Sequence, residues 1–75
     1  MSETVDTSTI MVNANGRSCV LLQGSTVTDL LQSFEIPPAR VVVQLDGTIV
    51  PRTEFAQTVL RDGCQLEIVT LVGGG

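Results

Sequence analysis

TIMVNANGRSCVLLQGSTVTDLLQSF, residues 9–34, is the stretch whose reading decides the fold. It opens with two short runs, 9–14 and 17–22, rich in Ile, Val, Leu and Thr. Asn15-Gly16 stands between them. Both central residues of a two-residue hairpin turn need φ > 0, and Asn followed by Gly is the strongest short-range signal for it. The first two strands therefore pair antiparallel. Gln23-Gly24 then breaks the strand, and Ser25 or Thr26 is placed to cap a helix. Asp29 lies three residues after Thr26, the capping-box offset, although Asp is shorter than the preferred Glu and leaves the box incomplete. Val27, Leu30, Leu31 and Phe34 recur at i, i+3, i+4 and i+7, which is one apolar helix face. Pro37-Pro38 stops the helix at or before Ile36, because a residue preceding proline is pushed out of the helical region.

Working outward, residues 40–45 are β-branched and read as a strand, with a turn at Asp46-Gly47. Residues 48–50 form a short strand closed by Pro51. Residues 52–60 are ambiguous, with a single helical or 3₁₀ turn expected around 54–57. Asp62-Gly63 is another turn. Residues 64–72 are the last strand, in which Leu66 and Ile68 alternate with Gln65 and Glu67, so one face is buried. A hairpin, one amphipathic helix and further strands fit an α+β fold of the ubiquitin-like β-grasp type: a mixed sheet of four to five strands packed on one helix. The last strand is expected at the centre, beside the first. The domain organisation expected is a flexible extension over 1–8, the β-grasp domain over 9–72 and a flexible glycine tail over 73–75.

With 75 residues this is one domain, and one this short buries only about 60% of its unfolded surface, leaving little room for a catalytic cleft. Two Phe and no Tyr or Trp mean a core of Val, Leu and Ile. A net charge of −4 disfavours nucleic acid and anionic membrane as partners. No apolar run approaches a membrane span and no leader is visible, so a cytoplasmic protein is expected. There is no His, which removes the commonest general base and metal ligand. The basic residues are all Arg, at 17, 40, 52 and 61; the absence of Lys would spare an activated acyl group from the usual attacking amine. Cys19 and Cys64 are far apart and make no zinc pattern; a disulfide and two reduced core thiols are both compatible with them. The carboxylates are scattered over turns and polar faces with no acid–base pair, and there is no nucleotide-binding glycine loop. No catalytic residue and no metal ligand is therefore assigned in this chain.

What remains is the ending. The last strand is apolar up to Val72 and then runs into Gly73, Gly74 and Gly75. Glycine has no Cβ, so such a tail passes through a slot too narrow for any side chain. A partner enzyme threading it would reach the terminal carboxylate, which becomes a good electrophile when activated as an acyl-adenylate. The bland alternative is a frayed end.

These residues resemble the ThiS family of small sulfur carriers in thiamin biosynthesis. The resemblance runs from about Ile10 to Gly75. It is carried by Val12-Asn13 with Asn15-Gly16, by TVTDLL at 26–31, VVVQL at 41–45, IVPR at 49–52, Asp62-Gly63, LEIV at 66–69 and the ending VGGG at 72–75. The IVPR piece and the tail are the more specific. Asp46 stands where the family commonly has Asn, and Cys64 where it has Asp or Asn; Cys64 is expected to pack. The resemblance implies that a ThiF-like adenylyltransferase uses ATP to adenylate the Gly75 carboxylate. A sulfur donor protein then converts it to a thiocarboxylate, which delivers sulfur to a thiazole synthase of the ThiG kind. Gly75 reacts, Gly73 and Gly74 give it reach, and no cofactor is bound by the carrier itself. Two rivals share the features: a MoaD-like small subunit of molybdopterin synthase, and a ubiquitin-like modifier or interaction module. A partner also needs a docking surface. If Leu66 and Ile68 face the helix, Val69 and Leu71 face the other side of the sheet, with Met11, and an exposed apolar cluster there marks the place. The alternative is that residues 52–60 cover it.

Overall fold

The computed structural model describes residues 8–71. Strands β1 (Thr9–Ala14) and β2 (Arg17–Leu22) form the hairpin, with Met11 opposite Val20 and Ala14 opposite Arg17. Asn15 and Gly16 both have positive φ, at 53° and 81°, as the turn requires. Helix α1 (Val27–Ser33) follows, then a 3₁₀ turn Pro38–Arg40, β3 (Val41–Leu45) and β4 (Thr48–Val50). A second 3₁₀ turn, Arg52–Glu54, leads through an irregular stretch to β5 (Gln65–Thr70). The five strands lie in the order β2-β1-β5-β3-β4. Strand β5 is parallel to β1 and antiparallel to β3, so the last strand is central and beside the first, as expected. This is the mixed sheet on one helix of the β-grasp.

One sheet face is dry. Val12, Val43, Leu66, Val27, Leu30 and Leu31 are fully buried between sheet and helix. Each buried aliphatic side chain of this kind contributes about 1.5–3 kcal/mol of transfer free energy. Cys64 is buried in the same core and Cys19 packs against it half-buried; both are free thiols.

The helix differs from expectation at both ends. The capping box is complete: the Asp29 N–H donates to Thr26 Oγ1 at 3.3 Å, and the Thr26 N–H donates to Asp29 Oδ2 at 2.9 Å. The shorter Asp reaches because the extended Thr26 backbone, φ −106° and ψ 175°, folds back over the first turn. At the other end Phe34 is the C-cap; its N–H still donates to Leu30 C=O at 3.2 Å, in helical register, but its side chain is 40% exposed and is not buried with Val27, Leu30 and Leu31. The helix ends there because Glu35 takes φ 59° one residue later. The Ile36 N–H donates to Leu31 C=O at 2.9 Å and the Glu35 N–H to Gln32 C=O at 3.0 Å, the bonding pattern of a Schellman cap. Ile36 turns inward against the core.

Residues 52–60 resolve into a plug at the start of the helix. Phe55 and Leu60 are buried. The carbonyls of Thr58 and Phe55 accept from the N–H groups of Val27 and Thr28 at 3.1 and 3.3 Å, and the Leu60 N–H donates to Ser25 C=O at 2.8 Å. The first N–H groups of a helix have no intrahelical partner. Here the chain itself supplies them, which is why an irregular stretch takes one definite course.

Candidate functional site

Residues 73–75, singled out as the reactive tail, lie outside the described residues, as do 72 and the extension up to residue 7. Ser8, counted with that extension, has its carbonyl tied to the N–H of Gln23 at 3.0 Å. What the structure shows of the site is its base, the end of β5, and how firmly it is held.

On one side β5 pairs with β3 along its whole length, from Leu45 opposite Leu66 to Val41 opposite Thr70. One further bond, Leu71 N–H to Arg40 C=O at 2.7 Å, extends the hold past the strand end. On the other side the parallel ladder with β1 is short, Asn13 with Gln65 and Ala14 with Leu66, because β1 turns away at Asn15. Asn15 compensates. Its N–H donates to Leu66 C=O at 2.9 Å. Its carboxamide then serves as one more rung: Oδ1 accepts from the Ile68 N–H at 2.7 Å, and Nδ2 donates to Ile68 C=O at 3.0 Å. Asp46 and Asp62 work in a related way. Asp46 Oδ1 accepts from the Gln65 N–H at 2.9 Å, and Asp62 Oδ1 from the Met11 N–H at 2.8 Å. Sequence reasoning took all three only as turn residues. The signal it lacked was which strands the turns abut, which no local pattern states. At position 46 the bond needs an acceptor oxygen alone, so Asp and Asn serve equally.

Val69 and Leu71 are 55% and 54% exposed, on the sheet face away from the helix. Val42, directly across from Val69 on β3, extends that apolar surface. Residues 52–60 sit at the helix start and leave it uncovered. Met11, half exposed, is on the same face but is not brought to these two. It is bonded at the level of Gly63, six residues upstream of Val69, or about 20 Å along the strand. Met11 instead neighbours Val20, with Leu22 beside them at the far end of the hairpin. Among the described residues, no three His, Cys, Asp or Glu side chains stand together as a metal group. No helix there is long and apolar enough to cross a membrane.

The model of the ThiS family matches residues 9–75. The chain belongs to the ThiS family. Among relatives of this ThiS-family chain, the sulfur carrier protein ThiS of Escherichia coli is 30% identical over 66 residues, covering 88% of this chain and 97% of that one. A thiazole synthase of Paramagnetospirillum magneticum is 36% identical over 61 residues, but the match spans only 19% of that enzyme's length. The crystal structure of a thiamine biosynthesis protein, ThiS, from Geobacter metallireducens superposes with a TM-score of 0.73. It is 29% identical and covers 88% of this chain and all of its own. ThiS membership and the β-grasp fold thus rest on independent observations of sequence and shape.

Proposed function

We propose that this protein is a sulfur carrier for thiazole formation in thiamin biosynthesis, reacting through the carboxylate of Gly75. The observation that carries the reading is the anchoring of β5 at the centre of the sheet, immediately before the glycines, in a chain whose family match runs through residue 75. A central strand bonded on both sides gives a partner a rigid body to grip. The side-chain-free residues Gly73 and Gly74 give the carboxylate reach into a narrow slot.

In this reading a ThiF-like adenylyltransferase supplies ATP and the catalytic groups. A Gly75 carboxylate oxygen attacks the α-phosphorus, and pyrophosphate leaves. Sulfide-level sulfur delivered by a donor protein then attacks the acyl carbonyl carbon, AMP leaves, and the product is a thiocarboxylate. A ThiG-like thiazole synthase takes the sulfur. The carrier itself contributes no catalytic side chain. Val69 and Leu71 are the natural contact for the activating enzyme, being apolar, exposed and next to the tail. Met11 belongs to a separate patch and is a docking residue only for a partner reaching across the sheet.

Intact-mass analysis after co-expression with the cognate adenylyltransferase and sulfur donor tests this. One oxygen replaced by sulfur, localised to Gly75, is expected, with a chain lacking Gly74 and Gly75 showing none. Adducts on lysines of other proteins would instead make the protein a modifier.

A further inference from the structure

The two edges of β5 end at different places. Its odd-numbered residues turn their backbone groups to β3: the Leu71 N–H reaches Arg40 C=O, and Gln65 C=O accepts from the Asp46 N–H. Its even-numbered residues turn theirs to β1. Leu66 C=O takes the Asn15 N–H, and Ile68 is held through both backbone groups by the Asn15 carboxamide. By the two-residue alternation of a strand, Thr70 presents its N–H and C=O on the same side as Ile68. The hairpin has already turned back at that level. Thr70 faces Val41 in the β3 pairing without bonding it, and no described residue hydrogen-bonds its backbone. Among the described residues the Asn15 carboxamide is therefore the last rung, and one residue pair beyond it the exposed Thr70 is an open strand edge.

We infer that this edge is a β-augmentation site, on which the adenylating enzyme lays an extended strand of its own. The inference rests on the proposed activation of Gly75 and says how the tail is recognised. Apart from the Gly75 carboxylate, three glycines offer a partner only backbone N–H and C=O groups, and each one withdrawn from water needs a hydrogen-bond partner. An enzyme strand running beside the tail supplies them along its length. Continued back toward the domain, the same strand meets Thr70 as its first rung on the folded body. Main-chain bonds then give affinity, while Val69 and Leu71, on the outer face of the same stretch, add side-chain contacts. Asn15 sets where the added strand must stop, so it fixes the register in which the tail is drawn in.

Backbone amide exchange read by NMR, in the free protein and in the complex with the cognate adenylyltransferase, tests the site. In the free protein the Thr70 amide is expected to exchange fast at every protein concentration, between slowly exchanging Val69 and Leu71. In the complex its exchange slows by about tenfold or more, as for a hydrogen-bonded amide. Thr70→Pro removes only the outward N–H, a position where a strand tolerates proline. It is expected to raise KM for adenylation about tenfold with kcat within about twofold, roughly the worth of one hydrogen bond. Should the proline variant fold poorly, the exchange measurement on the unaltered chain decides. An adenylated wild-type chain whose Thr70 amide stays unprotected in the complex overturns this inference and leaves the carrier function standing. Protection that instead grows with protein concentration alone identifies a second copy as the occupant and overturns it too. A wild-type chain that is never adenylated overturns both.

Discussion

Glu35 is the residue most at odds with its own backbone. It sits at φ 59°, where an L side chain is strained by roughly 1–2 kcal/mol, and it is exposed. The Schellman bonds of Glu35 and Ile36 use backbone groups only, so they survive any side chain at this position. Glu35→Gly is therefore expected to stabilise the fold by about 1 kcal/mol, even after glycine's larger entropy in the unfolded chain. For a domain of this size that is a rise of about 4–8 °C in Tm, readable by calorimetry. Asn15 shares the left-handed conformation, but its side chain does two jobs, closing the hairpin and pairing with Ile68. It stands apart from Glu35 because a substitution there that preserves the turn still loses the rung.

At the scale of elements, the helix is the weakest piece taken alone. Seven residues are too few to hold a helix in water, since nucleation is unfavourable and only a few bonds follow it. Its order comes from three buried side chains, the capping box and the carbonyls of residues 55 and 58. Thr26→Ala removes the side-chain oxygen that accepts the Asp29 N–H. It is expected to cost about 1 kcal/mol, seen as a lower urea midpoint with unchanged m-value. An unchanged midpoint would mean that the plug formed by residues 52–60 holds the helix start without the box. The last strand is the opposite case. Its residues Leu66 and Ile68 are buried, β3 flanks it throughout, and the Asn15 carboxamide continues the β1 side as far as Ile68.

For the molecule as a whole, the proposed function divides stability and partner recognition between the two faces of one sheet. The helix-side face carries the core, and among the described residues the opposite face leaves Met11, Val20 and Leu22, Ile49, and Val69 and Leu71 exposed. Val69→Asp tests that division. Val69 is 55% exposed and contributes little to the core, so the loss of stability is expected to stay below about 1 kcal/mol. A charge at the centre of a docking patch should nonetheless weaken association with the adenylyltransferase by tenfold or more, measured by titration calorimetry. Loss of folding with no separate effect on binding would place Val69 in the structure's service rather than the partner's.

Much of this was already written in local pattern. Asn15-Gly16 between two apolar runs specifies the hairpin, because few other pairs accept two positive φ angles. The spacing of Val27, Leu30 and Leu31 specifies a helix face, and the alternation through Leu66 and Ile68 a one-sided strand. The central place of the last strand followed from the β-grasp pattern. Three things were decided only by tertiary structure. Phe34 stayed 40% exposed at the last position of its face, because Glu35 ends the helix there and the core does not reach over it. Residues 52–60 found their course because the helix start needed acceptors. Among the described residues the Asn15 carboxamide became the last rung beside Ile68, and Thr70 an open edge, because β1 turns away where β5 continues. Periodicity tells which way a side chain points. Which backbone groups go unpaired depends on the neighbour across the ladder, fifty residues and more away in sequence for Asn15 and Ile68, and only the folded sheet brings that neighbour into place.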